Sequence, residues 1–361
     1  MTVTAEGTGT DVVRDLAAAA AAELEPLLVL EPLEEFLDAA GLGSGAVEVE
    51  PIGEGHSNVT FLLRRGAEKL VLRRPPRGPL PPSAHDVLRE ARLLAALDGL
   101  GPPVPEVLAS CEDAGVIGAP FYVMPFVEGQ VLADALPGGL VRPGAPARIA
   151  EQLVDGLLAL HGLDFEALGL QGFGRPDGYL ERQIKRFGGL LEHNATRPLP
   201  QLEQVRDWLA DNLPSSPAAT IVHGDYRLGN VMFAPREPRL VAVLDWEMAT
   251  IGDPLADVGY MTAMWAQEGD PVNPVAELSR VTRLPGFPGR EALARRYVEA
   301  TGHSIEALAW YQTLALWKAA IFLEGSYKRH RAGTTFDAYF ASLGEGVPVL
   351  GRLACERAGL A

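Results

Sequence analysis

Three oxygen-bearing side chains lie in two short polar stretches, residues 223–230 and 243–247. Asn230 follows Asp225 by five residues, and Asp245 follows Asn230 by 15. Amide and carboxylate oxygens are hard ligands, which Mg²⁺ binds together with phosphate oxygens and water. A further carboxylate can accept the proton of a hydroxyl nucleophile. The pattern therefore favours Asp225 as a base, and Asn230 and Asp245 as metal ligands, in phosphoryl transfer to a hydroxyl.

Four neighbouring polar residues are predicted to support this set. His223 is either a second base or, as we favour, a brace for the loop backbone. Arg227 either contacts phosphate or substrate or forms a surface ion pair, and Glu247 either supports the metal or is solvated. We expect Asp257 to bind the loop's backbone amides. The three central residues also have plain alternatives as a helix cap, a turn residue and a strand-end residue, but their joint spacing favours the chemical interpretation.

The flanking sequence predicts the elements that position these residues. Residues 46–74 contain alternating and β-branched runs separated by glycines, which predict antiparallel strands. Residues 84–97 have helical spacing of apolar positions, and 121–124 form a candidate buried strand. From residue 128 the chain is mostly helical, with short strands near the polar stretches. The expected fold class is α+β.

The predicted organisation is a helical extension and two lobes. The extension covers residues 1–45, with helical spacing interrupted at Pro26 and Pro32. A small β-rich lobe with one long helix covers 46–127, and a larger, mostly helical lobe covers 128–361. The Pro-containing stretch around residue 127 marks the predicted boundary.

Composition narrows the class of protein. The formal net charge is −16, and residues 1–50 hold one Arg and eleven acidic residues. A basic footprint is missing, which argues against nucleic-acid binding. Two cysteines cannot build a disulfide framework and indicate a reducing compartment. No apolar run reaches the roughly 18 residues that span a bilayer, so we expect a cytoplasmic protein without a membrane segment; the oligomeric state is not determined.

Residues 223–233 and 244–260 together resemble the aminoglycoside phosphotransferase family of kinase-like enzymes, and the likeness extends over about 46–335. Residues 53–64, 72–97 and 322–333 are most similar to the branch with kinase-like domains fused to acyl-CoA dehydrogenases. The resemblance implies a two-lobed protein-kinase-like fold. It also implies ATP or GTP as phosphoryl donor, Mg²⁺ as cofactor, and a small-molecule hydroxyl compound as acceptor.

The resemblance also implies a phosphate-binding loop between two strands of the small lobe. Gly53, Gly55, Ser57 and Asn58 occupy it, and two glycines let the backbone approach phosphate closely. Asn58 stands where kinases have their third glycine. Such a loop by itself is a weak signal, because glycine-rich hairpins are common.

A basic residue on the third strand should bind the nucleotide phosphates, and here Arg73 replaces the usual Lys. Strand alternation places it on the opposite face from Arg74. Its expected partner is Glu90, a carboxylate on a largely apolar helix face that would be costly alone. The alternative pairs Glu90 with Arg89 or Arg92.

The resemblance further implies that Met124 lies behind the adenine and that residues 125–127 form the hinge. Pro125 has no N–H, so the adenine edge would use the Pro125 carbonyl and the Val127 amide. An ordinary buried strand entering a linker would have the same residues.

Residues 318–331 hold four Lys or Arg residues and one acid. This balance favours an anionic acceptor, such as a thioester of coenzyme A, over a polycationic aminoglycoside; the alternative is a solvated basic helix face. Two other functions remain open: a catalytically silent nucleotide-binding scaffold, and a metal-dependent hydrolase.

Overall fold

A computed structural model describes residues 11–53, 58–78, 85–333 and 338–360. The chain forms two compact units. The first comprises the residues up to Asp98 and Val104–Val127, and the second comprises Gly99–Pro103 and Glu128–Ala361.

The first unit is built on an antiparallel sheet. Its elements in chain order are β1 (Val12–Val13), α1 (Leu16–Ala21), β2 (Leu28–Val29), α2 (Leu30–Ala39), β3 (Glu48–Ile52), β4 (Val59–Arg65), β5 (Glu68–Arg74), α3 (Val87–Leu97), β6 (Ala109–Cys111) and β7 (Phe121–Pro125). The five-stranded sheet has the order β3-β4-β5-β7-β6, and β1 and β2 form a separate parallel pair.

Alternation along β5 gives the sheet two different faces. Leu70 and Leu72 belong to the main apolar core of this unit, together with residues of β2 and α2. The α2 ring of Phe36 packs edge-on against Phe121 of β7, with centroids 5.0 Å apart. Arg73 lies on the opposite face, because successive strand side chains alternate.

The N-terminal segment differs from the predicted helical extension. Its described part packs into the core of the first unit, where Leu28, Leu33 and Leu37 are fully buried. Pro32 does not interrupt the helix, because it lies in the first turn of α2, where no intrahelical bond needs its N–H. Residues 11–45 are therefore an integral part of the first unit.

The second unit is mainly helical. Its elements are β8 (Gln130–Val131), α4 (Ala145–His161), α5 (Tyr179–Asn194), α6 (Pro200–Asp211), β9 (Thr220–Val222), β10 (Val231–Phe233), β11 (Leu240–Val243), β12 (Thr250–Gly252), α7 (Pro254–Ala263), α8 (Pro274–Glu277), α9 (Arg290–Thr301), α10 (Leu308–Arg331) and α11 (Ala338–Ala358). Helix α10 packs against α5, α6, α7 and α11. Among the described residues, no helix is both long enough and apolar enough to cross a bilayer.

Two small antiparallel pairings position the polar stretches of this unit. Strand β9 pairs with β12, and β10 lies between β11 and β8. The first polar stretch joins β9 to β10, and the second joins β11 to β12. Because all four strand ends are paired, the two stretches lie side by side.

Candidate active site

The register of the β10–β11 hairpin brings the two polar stretches into contact. Val231 pairs with Val243, so the residue before β10 lies opposite the residue after β11. The Leu244 amide donates to the Asn230 carbonyl at 2.8 Å. Asn230 thus lies opposite Leu244, the residue directly before Asp245, although 15 residues separate Asn230 from Asp245 along the chain.

Asp257, on α7, holds the start of the first stretch by its backbone. Its carboxylate accepts the amides of His223 and Gly224 at 2.6 and 2.8 Å. It is almost completely buried and also accepts from Nε2 of His161 at 3.2 Å. Burial alone would raise the pKa of Asp257, but the hydrogen bonds from His161 and His223 hold it below its ordinary value.

His161, at the end of α4, links this carboxylate to helix α9. Its Nδ1 lies 2.7 Å from the Tyr297 hydroxyl of α9, and its carbonyl accepts from the Thr220 hydroxyl at 2.9 Å. The Asp257 carboxylate is therefore held on both sides, by the loop that it binds and by two helices behind it.

The ring of His223 has the contacts of a brace. Nε2 lies 2.9 Å from the Leu244 carbonyl, which can only accept, so this nitrogen carries the hydrogen. Nδ1 then accepts the Asp225 amide at 3.2 Å. Both ring nitrogens are engaged with backbone, and the fully buried ring packs 4.7 Å from that of Trp246. This geometry leaves no ring nitrogen to act as a base.

Asp225 and Asn230 are joined directly. The Asn230 amide nitrogen donates to both the Oδ2 and the backbone oxygen of Asp225, each at 2.8 Å. Oδ1 of Asp225 is buried and has no hydrogen-bond partner among the described residues, although Nε of Arg227 lies 3.6 Å away. One carboxylate oxygen is thus held while the other remains able to accept a proton.

Asp245 has a left-handed backbone, with φ 64° and ψ 64°. Residues other than glycine adopt this conformation at some cost, and it clusters at functional sites. Asp245 precedes a 3-10 helix, Trp246–Met248, whose Trp246 Nε1 donates to the Val243 carbonyl at 2.9 Å. Glu247 lies inside this turn, directly after the buried indole.

The oxygen donors in this region suit Mg²⁺. The Asn230 nitrogen is engaged by Asp225, which leaves the amide oxygen as the donor atom, and Asp245 adds a carboxylate. Within the described ranges, no three His, Cys, Asp or Glu side chains are grouped as a metal site. A hard cation held by these two residues would therefore take its other ligands from phosphate and water.

The remainder of the loop is closely packed. The Tyr226 hydroxyl donates to the Leu153 carbonyl of α4 at 2.8 Å. Gly224 has φ 84°, and a Cβ there would lie 2.7 Å from the Met248 carbonyl oxygen. At Gly229 the neighbour is the Arg227 guanidinium, which lies where a Cβ would project. Glycine is needed at residue 224 for both its backbone angle and its contacts.

In the first unit, the contact predicted between Arg73 and Glu90 is formed. Arg73 Nε donates to Glu90 Oε2 at 2.9 Å, and Glu90 is 3% exposed. Arg74, on the other face, donates to the backbone oxygens of Leu27, Pro75 and Ile117. Its burial lowers its pKa to about 10. The adjacent arginines therefore have different environments: one pairs with a helix carboxylate, and the other crosslinks backbone.

The predicted phosphate loop lies only partly in the described residues. Gly55 and Ser57 fall outside them. Gly53 directly follows β3 and has φ 81°, in the left-handed region. Asn58 is buried, and its Oδ1 contacts Nδ1 of His85 at 3.2 Å, so its side chain joins the strand to the segment before α3.

The predicted hinge residues follow the sheet register. Met124 pairs with Val71, and Pro125 pairs with Leu70 at the end of β7. Val127 is the last residue of the first unit. All three are partly buried.

Sequence reasoning did not single out His161, Tyr260 or Lys318. His161 lies 96 residues from the carboxylate that it contacts. Burial and the neighbouring Asp225 carboxylate raise the pKa of Tyr260 well above its ordinary value. Lys318 belongs to the basic cluster noted in the sequence, but nothing local distinguishes it from exposed members such as Arg329.

Comparison with known proteins places these features in a family. Residues 48–312 match the phosphotransferase enzyme family. The chain is 38% identical over 297 residues to acyl-CoA dehydrogenase family member 11 of Gallus gallus, covering 80% of this chain and 38% of that protein. It is 36% identical over 314 residues to acyl-CoA dehydrogenase family member 10 of Mus musculus, covering 85% and 29%. The chain thus spans less than two fifths of the length of these relatives.

Solved structures agree with the sequence matches. A proposed aminoglycoside phosphotransferase of Ralstonia eutropha JMP134 is 33% identical, with a TM-score of 0.77 over 91% of this chain and 98% of that one. The aminoglycoside phosphotransferase APH(4)-Ia, in complex with AMP-PNP and hygromycin B, is 16% identical, with a TM-score of 0.58 over 91% and 98%, and shows the fold alone. The predicted kinase-like fold and family resemblance are confirmed. This chain belongs to the phosphotransferase enzyme family.

Proposed function

We propose that this protein is a small-molecule kinase that transfers the γ-phosphate of ATP or GTP to a hydroxyl of an acceptor. The observation that carries the proposal is the state of Asp225. One of its oxygens is held by Asn230, and the other is buried without a hydrogen-bond partner among the described residues. A carboxylate in this state can accept the proton of an acceptor hydroxyl.

Positioning is the main task of a protein that transfers phosphoryl groups. The backbone of residues 223 and 224 is held by the buried Asp257 carboxylate, and the His223 ring holds the next amide. The proposed base, Asp225, therefore lies on a loop whose backbone is held in place. The Asn230 amide nitrogen also donates to both the Oδ2 and the backbone oxygen of Asp225, and the bond to Oδ2 limits rotation of the carboxylate.

Asn230 and Asp245 are the residues that would hold Mg²⁺, which neutralises phosphate charge when bound. The left-handed backbone of Asp245 directs its side chain from a short, well-anchored turn. Glu247 and Arg227 are proposed to support the metal and the acceptor or phosphate, respectively.

The first unit is proposed to bind the nucleotide. Arg73, oriented by Glu90, supplies a guanidinium that can contact phosphate with two parallel hydrogen bonds. The loop from Gly53 to Asn58 would cover the phosphates. Met124 and the backbone of 125–127 would contact the base.

The relatives are compatible with more than one phosphoryl donor and with several classes of acceptor compound. One structural neighbour was solved with AMP-PNP and hygromycin B, and another with GDP and kanamycin. Both adenine and guanine nucleotides are therefore candidate donors here. We propose a cytoplasmic enzyme whose acceptor belongs to the hydroxyacyl thioesters, the sugars or the aminoglycosides.

Product analysis with a radiolabelled γ-phosphate tests the proposal. The wild-type chain and Asp225→Asn are incubated with ATP or GTP, Mg²⁺ and an acceptor panel covering these three classes. We expect label on one acceptor class, and a rate at least about a hundredfold lower in the variant, because a general base contributes 10²–10⁴-fold. Unchanged nucleotide affinity in the variant is the control for folding.

Two results would replace the proposal with another function. Label released as free phosphate, with none on any acceptor, indicates a hydrolase. Nucleotide binding without turnover across the whole panel indicates a catalytically silent scaffold.

A further inference from the structure

Lys318 is a buried cation on α10 with an unusual environment. Its side chain is 5% exposed. Among the described residues it has neither a hydrogen bond nor an ion pair; its ammonium instead faces two aromatic rings, Phe187 at 4.9 Å and Tyr260 at 5.8 Å from the ring centroids. Burial lowers the pKa of Lys318 to about 8. A buried ammonium without a hydrogen-bonded anion is costly and calls for an explanation.

The lysine lies close to the proposed base. Tyr260, one of the two rings that it contacts, lies beside the Asp225 carboxylate, whose charge raises the pKa of the tyrosine hydroxyl. Asp225 is 23% exposed and Arg227 is also 23% exposed, so solvent and small molecules can reach this side of the loop. Lys318 is therefore separated from the proposed base by one aromatic ring, that of Tyr260.

The negative charge of the buried Asp257 does not explain why the Lys318 ammonium is buried. That carboxylate already accepts hydrogen bonds from two backbone amides and the His161 ring, and it forms no ion pair with Lys318. On α5, a second buried polar atom, Oε1 of Gln183, also has no partner among the described residues. Gln183 lies one helical turn before Phe187, on the same helix face. A cation and a hydrogen-bond acceptor, neither with a hydrogen-bond partner among the described residues, thus both lie near Phe187.

We propose that Lys318 is the anion-binding residue of the acceptor subsite, so that the acceptor is a hydroxyl compound that also carries a negatively charged group. This inference rests on the proposed function, because it assigns a substrate class to the same site. The partly buried ring of Tyr260 gives the subsite an apolar wall, against which the carbon skeleton of the acceptor packs. The ring of Phe187 is fully buried and contacts the ammonium from within the fold. The rest of the basic cluster is separate: Lys328 binds the His193 carbonyl, and Arg329 and Arg331 are exposed in the last turn of α10, where cations are favoured by the helix dipole.

Ligand-observed NMR tests the inference without requiring turnover. The probes are matched: glycerol, glycerate and glycerol 3-phosphate, and mandelamide with mandelate. They are titrated into the full chain and into Lys318→Met and Lys328→Met. We expect the anionic members to bind the wild type more tightly, and Lys318→Met to weaken them at least about tenfold, because one partner of a desolvated charge pair is lost. Lys328→Met should bind as the wild type, and the carboxylate and phosphate probes identify which anion is preferred.

Thermal unfolding without ligand is the second measurement. Methionine keeps the length of the side chain and removes an unpaired buried charge, so Lys318→Met should unfold at an equal or higher temperature. A clearly lower unfolding temperature would assign Lys318 to charge balance within the fold. Equal binding of anionic and neutral probes by the wild type, or no binding of any anion, would also overturn the inference.

Repeating the titration with Asp225→Asn separates this inference from the proposed function. If that variant binds anions selectively and the wild type labels no acceptor, the anion subsite is supported and the kinase function is rejected. If the wild type labels a neutral acceptor and Lys318→Met does not change the KM for it, the kinase function is supported and the anion subsite is rejected.

Discussion

Asp257→Asn should weaken the attachment of residues 223 and 224 to α7, and the structure allows the cost in stability to be worked out. The carboxylate accepts three hydrogen bonds: from the His223 and Gly224 amides and from the His161 ring. An asparagine amide turns one acceptor atom into a donor. Whichever way the amide is oriented, it faces at least one buried backbone N–H, which then loses its acceptor.

Leaving one buried N–H unsatisfied costs about 1–3 kcal/mol. The hydrogen bonds that remain lose the assistance of the negative charge, which roughly halves their strength and adds about 1 kcal/mol. We therefore expect Asp257→Asn to lower the free energy of unfolding by about 2–4 kcal/mol. Phosphoryl transfer per folded molecule should also fall, because the amide of the residue before Asp225 is no longer held.

Asp253→Asn is the matched control, four residues earlier and equally buried. Asp253 accepts the Leu255 amide at 2.9 Å and the Tyr311 hydroxyl at 2.7 Å. A hydroxyl can accept as well as donate, so an asparagine here keeps both contacts by donating to Tyr311. Its cost should be about 1 kcal/mol, with little change in activity per folded molecule.

Urea unfolding, turnover at saturating nucleotide, and amide hydrogen exchange over residues 222–231 measure these effects. The reasoning is refuted if the two variants lose the same stability and the same activity. The pH dependence gives a further test. Because the pKa of Asp257 is lowered by folding, its stabilisation is fully present above the ordinary Asp pKa of about 3.9 and is lost as the pH falls through the folded value. The stability difference between wild type and Asp257→Asn should therefore shrink below about pH 4.

Further predictions concern the first unit and the loop glycine. Arg73→Met and Glu90→Gln should each weaken nucleotide binding, and a double-mutant cycle on nucleotide affinity should give a coupling of at least about 1 kcal/mol; additive effects would contradict the pairing. Arg74→Met should lower the free energy of unfolding by about 3 kcal/mol with nucleotide affinity unchanged, and a loss of affinity equal to that of Arg73→Met would contradict the assignment of faces. In urea unfolding, Gly224→Ala should cost clearly more than Gly302→Ala, which we expect near 1 kcal/mol, because both have positive φ but only the first meets a backbone oxygen; equal costs would show that the contact relaxes.

The sequence pattern predicted a structural feature correctly where the physical cause of that feature lies within a few residues of the chain. Strand alternation separates Arg73 from Arg74 because successive side chains point to opposite faces, and the two side chains indeed have different partners. The buried Glu90 could be inferred because helical spacing places it among apolar residues. The Asp225-to-Asn230 spacing lies within one loop, so the contact between the two side chains does not depend on distant parts of the chain.

The N-terminal segment shows how local pattern misleads. Helical spacing over 11–40 predicted an extension, because amphipathic segments look alike whether they cover a neighbouring sheet or stand apart. The core position of Leu33 and Leu37 depends on the far side of the sheet, which only long-range packing supplies.

The sequence by itself thus predicted a class of chemistry, from a candidate base, an amide and a carboxylate at spacings that the local hairpin brings together. Tertiary structure decided what holds and surrounds them. His161 and Asp257 meet across 96 residues. Lys318 is buried beside aromatic rings, whereas Arg329 and Arg331, later on the same helix, are exposed. Burial and unpaired charge are properties of the packed chain, and the acceptor class proposed for this protein rests on them.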